Sequence, residues 1–128
     1  MTSAILTKVT AAAVAAKTAF INGKAYEMRE GETILAFLKR HLGEKHVPTL
    51  CDAPNLEPFG ACRVCSVEIA RQGNGTPKTV ASCHTPIEEG LMIYPDSESV
   101  QKLRRNLIEL VLTDHPLDCL TCEVNGIC

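Results

Sequence analysis

Seven cysteines in 128 residues constrain this chain more than any other feature. Cys51, Cys62, Cys65 and Cys83 are separated by ten, two and seventeen residues. After a gap of thirty-five residues, Cys119, Cys122 and Cys128 are separated by two and five. His115 precedes Cys119 with three residues between them, so the set divides into two groups of four candidate ligands, with every Cys used. An odd count cannot be fully paired within one chain, and the opening residues make a poor secretory signal. Clustered Cys are therefore expected to do metal or redox chemistry in a reducing, cytoplasmic compartment.

Composition narrows the class. Apolar residues at 45% and charged residues at 22% describe a globular chain. Aromatics are 4% with no Trp, so the core must be mainly aliphatic. Thirteen Lys plus Arg against fifteen Asp plus Glu leave a formal charge of −2, with no electrostatic footprint for nucleic acid. No apolar run reaches the roughly 18 residues of a membrane span. Residues 1–19 are rich in Ala and Thr, interrupted by Lys8 and Lys17, and contain no acidic residue and no Arg. They are expected to be a flexible or weakly helical tail; the missing Arg weakens a transit-peptide reading.

Local signals then divide the chain into an α+β domain over 20–96 and a helix with a Cys-rich segment over 97–128. Ala19 to Met28 reads as a hairpin about Asn22-Gly23. Thr33 can cap a helix through Ile34, Leu35, Phe37 and Leu38, with Gly43 suited to its end. Pro48, Pro54, Pro58 and Gly60 mark a loop up to Cys65. Ser66–Ala70 alternates as a strand, Gln72–Pro77 reads as a turn, and Thr79–Ser82 returns as a strand. Leu91–Tyr94 is a short strand stopped by Pro95. Ser97 can cap a helix carrying Val100, Leu103, Leu107, Leu110 and Val111 at helical spacing. About 17 residues make a rod of roughly 25 Å, and its apolar stripe is expected to pack against the domain. Asp114–Cys128 is too short for its own core and must be organised by metal or by a partner.

For the first group, zinc could take four thiolates, but structural zinc sites usually show two close Cys pairs. Here Cys51 and Cys83 are isolated, and only Cys62 and Cys65 are close. A long loop closed by a remote Cys suits a [2Fe-2S] rhomb, which is broader than one ion. Gly60 and Ala61 are small enough to let backbone N–H groups approach the sulfurs.

The second group, His115, Cys119, Cys122 and Cys128, fits either a zinc site of three thiolates and one imidazole or an iron–sulfur cluster. A zinc site joining Cys62 and Cys65 to Cys119 and Cys122 would leave three Cys idle. His41, His46 and His84 have no comparable context. Clusters held by thiolates are anions, so they need backbone N–H donors and some polar exposure if reduction is not to become too costly.

The run Cys51-Asp52-Ala53-Pro54-Asn55-Leu56-Glu57-Pro58-Phe59-Gly60-Ala61-Cys62-Arg63-Val64-Cys65-Ser66-Val67 resembles the [2Fe-2S] loop of a known group. That group comprises the large iron–sulfur subunit of respiratory NADH dehydrogenase (complex I), the diaphorase subunit of bidirectional hydrogenases, [FeFe] hydrogenases, and the alpha subunit of NAD-dependent molybdenum or tungsten formate dehydrogenases. Thr113 to Glu123 is similar to their [4Fe-4S] segment, in which one His and three Cys are the ligands. The formate dehydrogenase alpha subunit looks most alike, on Asp52–Leu56, on Val80–Pro86 and on His115-Pro116-Leu117-Asp118-Cys119.

The resemblance covers about Phe20 to Cys128. It implies a β-grasp [2Fe-2S] ferredoxin-like domain, then a helix and a [4Fe-4S] segment with one His and three Cys ligands. The ligands would be Cys51, Cys62, Cys65 and Cys83 for the first cluster, and His115, Cys119, Cys122 and Cys128 for the second. Gly60, Ala61 and Arg63 would lie against the first cluster. The ten residues between Cys51 and Cys62 match the NADH dehydrogenase branch; plant-type ferredoxins have four there.

The implied function is a relay of single electrons between a formate-oxidising centre and a flavin subunit that reduces NAD, with the molybdenum or tungsten pterin, FMN and NAD held on other regions or subunits. The partners would be a diaphorase subunit and a catalytic formate or hydrogenase unit. Equivalent modules of NADH dehydrogenase or NAD-reducing hydrogenase are the alternatives, and a structural zinc module is the rival of another class. No formate-oxidising site is expected within these residues, so the chain reads as a piece of a longer subunit or a small carrier subunit.

Overall fold

A computed structural model describes residues 17–71 and 73–127. Most of the tail expected over 1–19, together with Gln72 and the candidate ligand Cys128, lies outside these described residues.

The first described strands are β1 (Thr18–Ile21) and β2 (Lys24–Glu27), paired antiparallel with Ile21 opposite Lys24. Asn22 (φ 49°) and Gly23 (φ 82°) form the two-residue turn. Positive φ at both positions matches the right-handed twist of the strands, as the Asn-Gly pair predicts. β1 begins at Thr18, inside the stretch expected to be tail, because Ala19 is wholly buried in the core.

Helix α1 (Ile34–Leu42) follows, with the Thr33 hydroxyl accepting from Ala36 N–H and Gly43 (φ 101°) closing its end. It buries Ile34, Leu35, Phe37 and Leu38 among Ala19, Ile21, Val67, Ala81, Leu91 and Ile93. The long loop comes next. The remaining strands are β3 (Ser66–Arg71), β4 (Asn74–Ala81) and β5 (Leu91–Tyr94), and the five-stranded order is β2-β1-β5-β3-β4. The first and last strands, β1 and β5, pair parallel at the centre, Ile21 opposite Ile93. This is the α+β, β-grasp arrangement that the resemblance implied.

Two expectations are corrected. The turn read over Gln72–Pro77 is shorter: Arg71 already pairs with Asn74, and Pro77 lies inside β4. β4 is an edge strand, where a missing N–H can face solvent.

The second correction concerns α2 (Glu98–Asp114), whose Ser97 cap and length are as read from the sequence. Its apolar stripe does not pack along its whole length. Val100 is buried and Leu103 and Leu107 are half-buried, but Leu110 is 66% and Val111 48% exposed. A rod of this length outruns the short sheet that it meets at β3.

Candidate metal centre

Cys51 enters from the loop after α1. Lys39 on α1 donates to Asp52 at 2.7 Å and fixes the start of the loop beside Cys51. This ion pair is largely shielded from solvent and raises the Lys39 pKa, through the Asp52 hydrogen bond first, with burial opposing. Leu56 N–H donates to Ala53 O across a turn of the Pro-bearing stretch.

The chain turns sharply at Gly60 (φ 72°) and Arg63 (φ 61°). Ser66 then donates twice to Arg63 O, from its N–H at 3.0 Å and its hydroxyl at 2.6 Å. That closed turn delivers Cys65 to the start of β3.

Cys83 is placed by a different set of bonds. The Ser82 hydroxyl donates to Cys65 O at 2.7 Å, tying the Cys83 segment to Cys65. The N-terminal N–H groups of Ile34 and Leu35, which a helix leaves without partners of its own, donate to Thr85 O and Ser82 O at 2.9 Å each. The end of α1 thus clamps the segment around Cys83 from the far side.

These elements bring the four Cys together as two pairs. Cys51 lies within side-chain hydrogen-bond reach of Cys62, and Cys65 of Cys83. The first pair is half-buried and the second buried. Among the described residues, no three His, Cys, Asp or Glu side chains close on a single point. Two thiol pairs side by side suit a two-iron rhomb better than one tetrahedral ion.

The electrostatics fit the same object. Burial raises the Cys62 pKa, but hydrogen bonds outweigh it and hold the thiol below its ordinary range. The donors are the N–H of Val64, the Cys51 side chain, and the N–H groups of Cys51 and Leu50. At Cys83 burial prevails, assisted by the Cys65 side chain and its charge, and pushes the thiol up to about 11. Gly60 N–H opposes this by donating to the Cys83 sulfur. Backbone N–H donors directed at Cys62 and Cys83 are what an anionic cluster requires.

Of the residues expected against this cluster, Gly60 and Arg63 shape the loop between Cys51 and Cys65 through their backbones. The Arg63 side chain is exposed, and Ala61 lies exposed beside Cys62. The described residues expected to hold the second cluster are not gathered. His115 caps the end of α2, Cys119 begins a short 3-10 turn (Cys119–Thr121) and Cys122 follows it, both Cys exposed. Local bonds such as Thr121 N–H to Asp118 O order this segment, which has no buried residue among those described.

Three features of the site carried no distinct sequence signal. Lys39 had no assigned role, and Asp52 figured only in the resembling run, with nothing to pair it with Lys39. The His84 ring covers Gly60: a Cβ there would lie 2.9 Å from it. Arg104 sits in a run of charged positions on α2 yet its side chain is largely covered against β3, with Nη2 donating to Ser66 O at 2.8 Å.

Comparison with known proteins agrees with this geometry. The family described as "2Fe-2S iron-sulfur cluster binding domain" matches residues 15–98, and "NADH-ubiquinone oxidoreductase-G iron-sulfur binding region" matches 104–128. The chain is 40% identical over 82 residues to the alpha subunit of NADPH-Fe(3+) oxidoreductase of Geobacter sulfurreducens, covering 64% of this chain and 9% of that one. It is 35% identical over 108 residues to an NADH-quinone oxidoreductase subunit of Rickettsia felis, covering 84% and 15%. It is 32% identical over 108 residues to the mitochondrial 78 kDa subunit of NADH-ubiquinone oxidoreductase of Candida albicans, covering 84% and 14%. A solved NAD+-reducing [NiFe]-hydrogenase, in the H2-reduced state, superposes with a TM-score of 0.70 at 29% identity, covering 88% of this chain and 44% of that one. The chain therefore spans only a small part of the length of these curated relatives.

Proposed function

The chain belongs to the 2Fe-2S iron-sulfur cluster binding family, continued by an NADH-ubiquinone oxidoreductase-G type iron–sulfur region, and we propose that it works as an electron-transfer module of a multi-subunit NAD(P)-linked oxidoreductase. The observation that carries this reading is the pairing of Cys51 with Cys62 and of Cys65 with Cys83, with backbone N–H donors directed at Cys62 and Cys83.

Cys51, Cys62, Cys65 and Cys83 would hold the [2Fe-2S] cluster, and His115, Cys119, Cys122 and Cys128 the [4Fe-4S] cluster. When bound, the clusters supply one-electron carriage. The chain's own residues do the rest. Gly60, Val64, Cys51 and Leu50 present N–H groups to thiolate charge. The Ser82–Cys65 bond and the end of α1 hold the inner pair fixed, so a change of charge requires little rearrangement.

The names of the relatives favour NADH-quinone oxidoreductase or NAD-reducing hydrogenase as the setting. Assignment to a formate dehydrogenase is the second reading, supported by the resemblance of Asp52–Leu56, Val80–Pro86 and His115–Cys119 to that branch. In either setting the partners would be a flavin- and NAD-binding subunit and a catalytic unit. Among the described residues, no helix is long and apolar enough to cross a membrane.

Anaerobic purification with iron, sulfide and zinc analysis tests the module. The expected result is a brown protein whose dithionite-reduced form gives two distinct iron–sulfur EPR signals. Cys62→Ser should remove the [2Fe-2S] signal alone. Stoichiometric zinc with negligible iron would overturn the reading. Metal analysis of the complex that co-purifies with the chain separates the settings: nickel for a hydrogenase, molybdenum or tungsten for a formate dehydrogenase, neither for NADH dehydrogenase.

A further inference from the structure

Arg104 is placed as no other cation in the described residues is. It projects from α2 onto the start of β3, where its Nη2 donates to the carbonyl of Ser66, the residue after Cys65. Its side chain is only 11% exposed. Its Nε is buried without any hydrogen-bond partner.

Burying a guanidinium is costly unless charge and hydrogen bonds compensate it. The compensation in view is incomplete. Asp96 lies at 3.8 Å from Nη1, a loose ion pair, and the same carboxylate already bonds His46 at 2.7 Å. Something else negative is wanted near this position. The inner Cys pair, one residue from the Ser66 carbonyl, becomes that charge once it holds iron and sulfide.

We propose that Arg104 is a positioning and tuning residue for the [2Fe-2S] centre, joining α2 to the inner Cys pair and making that centre easier to reduce. This rests on the reading that Cys65 ligates the [2Fe-2S] cluster. One-electron reduction adds a negative charge to a group that is already anionic. A fixed positive charge in a poorly solvated position stabilises the reduced state more than the oxidised one. The pKa balance is in keeping: burial pushes Arg104 below its ordinary value, while Asp96 and the charge of Cys65 push it back up. Arg104 is also the first residue of the second matched region, so its bond to Ser66 joins the two cluster-binding regions.

A purely structural role predicts something different. If the stem of Arg104 only packs α2 against β3, its replacement lowers stability and leaves the potential alone. Arg105 is the internal control, since it is the next residue, has the same charge and is exposed.

The test is an EPR-monitored redox titration of the anaerobic holo-protein, with dithionite as electron donor and viologen mediators. Arg104→Gln should move the [2Fe-2S] midpoint to a more negative value, and Arg105→Gln should leave it in place. Arg104→Lys should recover most of the shift, and Asp96→Asn, which removes the competing carboxylate, should move the midpoint the other way. Equal midpoints for Arg104→Gln and Arg105→Gln overturn the proposal. If Arg104→Gln does not retain its cluster, the Asp96→Asn midpoint decides, and a value unchanged from wild type overturns it. A wild-type protein with no [2Fe-2S] signal would fail the cluster assignment itself, whereas a normal signal with unmoved midpoints fails only the role of Arg104.

Discussion

Gly60 and His84 are packed so closely that a Cβ on Gly60 would lie 2.9 Å from the imidazole. The same glycine, at φ 72°, donates its N–H to the sulfur of Cys83. One small residue thus serves a backbone turn, a close approach and a sulfur hydrogen bond.

Gly60→Ala should therefore be destabilising by about 1–2 kcal/mol from the left-handed backbone alone, with an added cost for displacing the ring. The His84 side chain is exposed and can swing away. A Gly60→Ala, His84→Ala double variant should accordingly recover the steric part but not the backbone part. Thermal melting of the four corners of this cycle measures both. A double variant no more stable than Gly60→Ala would show that the contact carries no strain.

Arg63 has a similar backbone but a different origin. Its φ of 61° is unusual for a residue with a side chain, and its carbonyl takes both Ser66 bonds. Relief of left-handed strain and the extra chain entropy of glycine nearly cancel, each being about 1 kcal/mol. Arg63→Gly should therefore melt close to wild type. Arg63→Val should lose about 2 kcal/mol or more, since a β-branched side chain suits this conformation least. Urea unfolding of the two variants checks the ordering, and equal stabilities would mean that the turn is not held in this conformation.

The Lys39–Asp52 pair gives a prediction with a defined pH window. Asp52→Asn should cost about 1 kcal/mol, because the pair is short and partly buried but not fully desolvated. The Lys39 pKa is raised above 10.5 in the folded chain, so the charged form is the one that folding favours. Its contribution is then complete below the ordinary lysine range and disappears as pH rises through the folded value. The stability difference between wild type and Lys39→Met should stay constant from neutral to about pH 9 and shrink beyond the lysine range. A difference that grows with alkalinity would contradict the pairing.

Much of the fold could be read from local chemistry. Asn22-Gly23 gives the hairpin, Thr33 and Gly43 bound α1, and Ser97 starts α2 where a hydroxyl is needed. The grouping of Cys51, Cys62, Cys65 and Cys83 was equally direct, because their spacing is written in the sequence and the fold brings them together as two pairs. What could not be read depends on partners far apart in the chain. Pro77 looks like a turn residue until β4 is known to be an edge strand. Leu110 and Val111 continue a helical stripe whose covering surface ends near Leu107, so periodicity gave no sign of where burial stops. Arg104 differs from Arg105 only in facing Ser66, and one step along a helix has no compositional trace.

The two candidate cluster sites also differ in how much the polypeptide contributes to them, and that difference is measurable. Cys65 and Cys83 are buried in a hydrogen-bonded frame that exists around the thiols themselves. Cys119 and Cys122 are exposed on a segment held by short-range turns alone. Iron must therefore organise the second site far more than the first. In the holo-protein, His115→Ala should abolish the [4Fe-4S] signal and leave the [2Fe-2S] spectrum intact. Amide exchange over residues 115–127 should then rise sharply while β1, β3 and β5 keep their protection. Faster exchange in the sheet as well would mean that the two regions fold as one cooperative unit, and the independence argued from burial would be wrong.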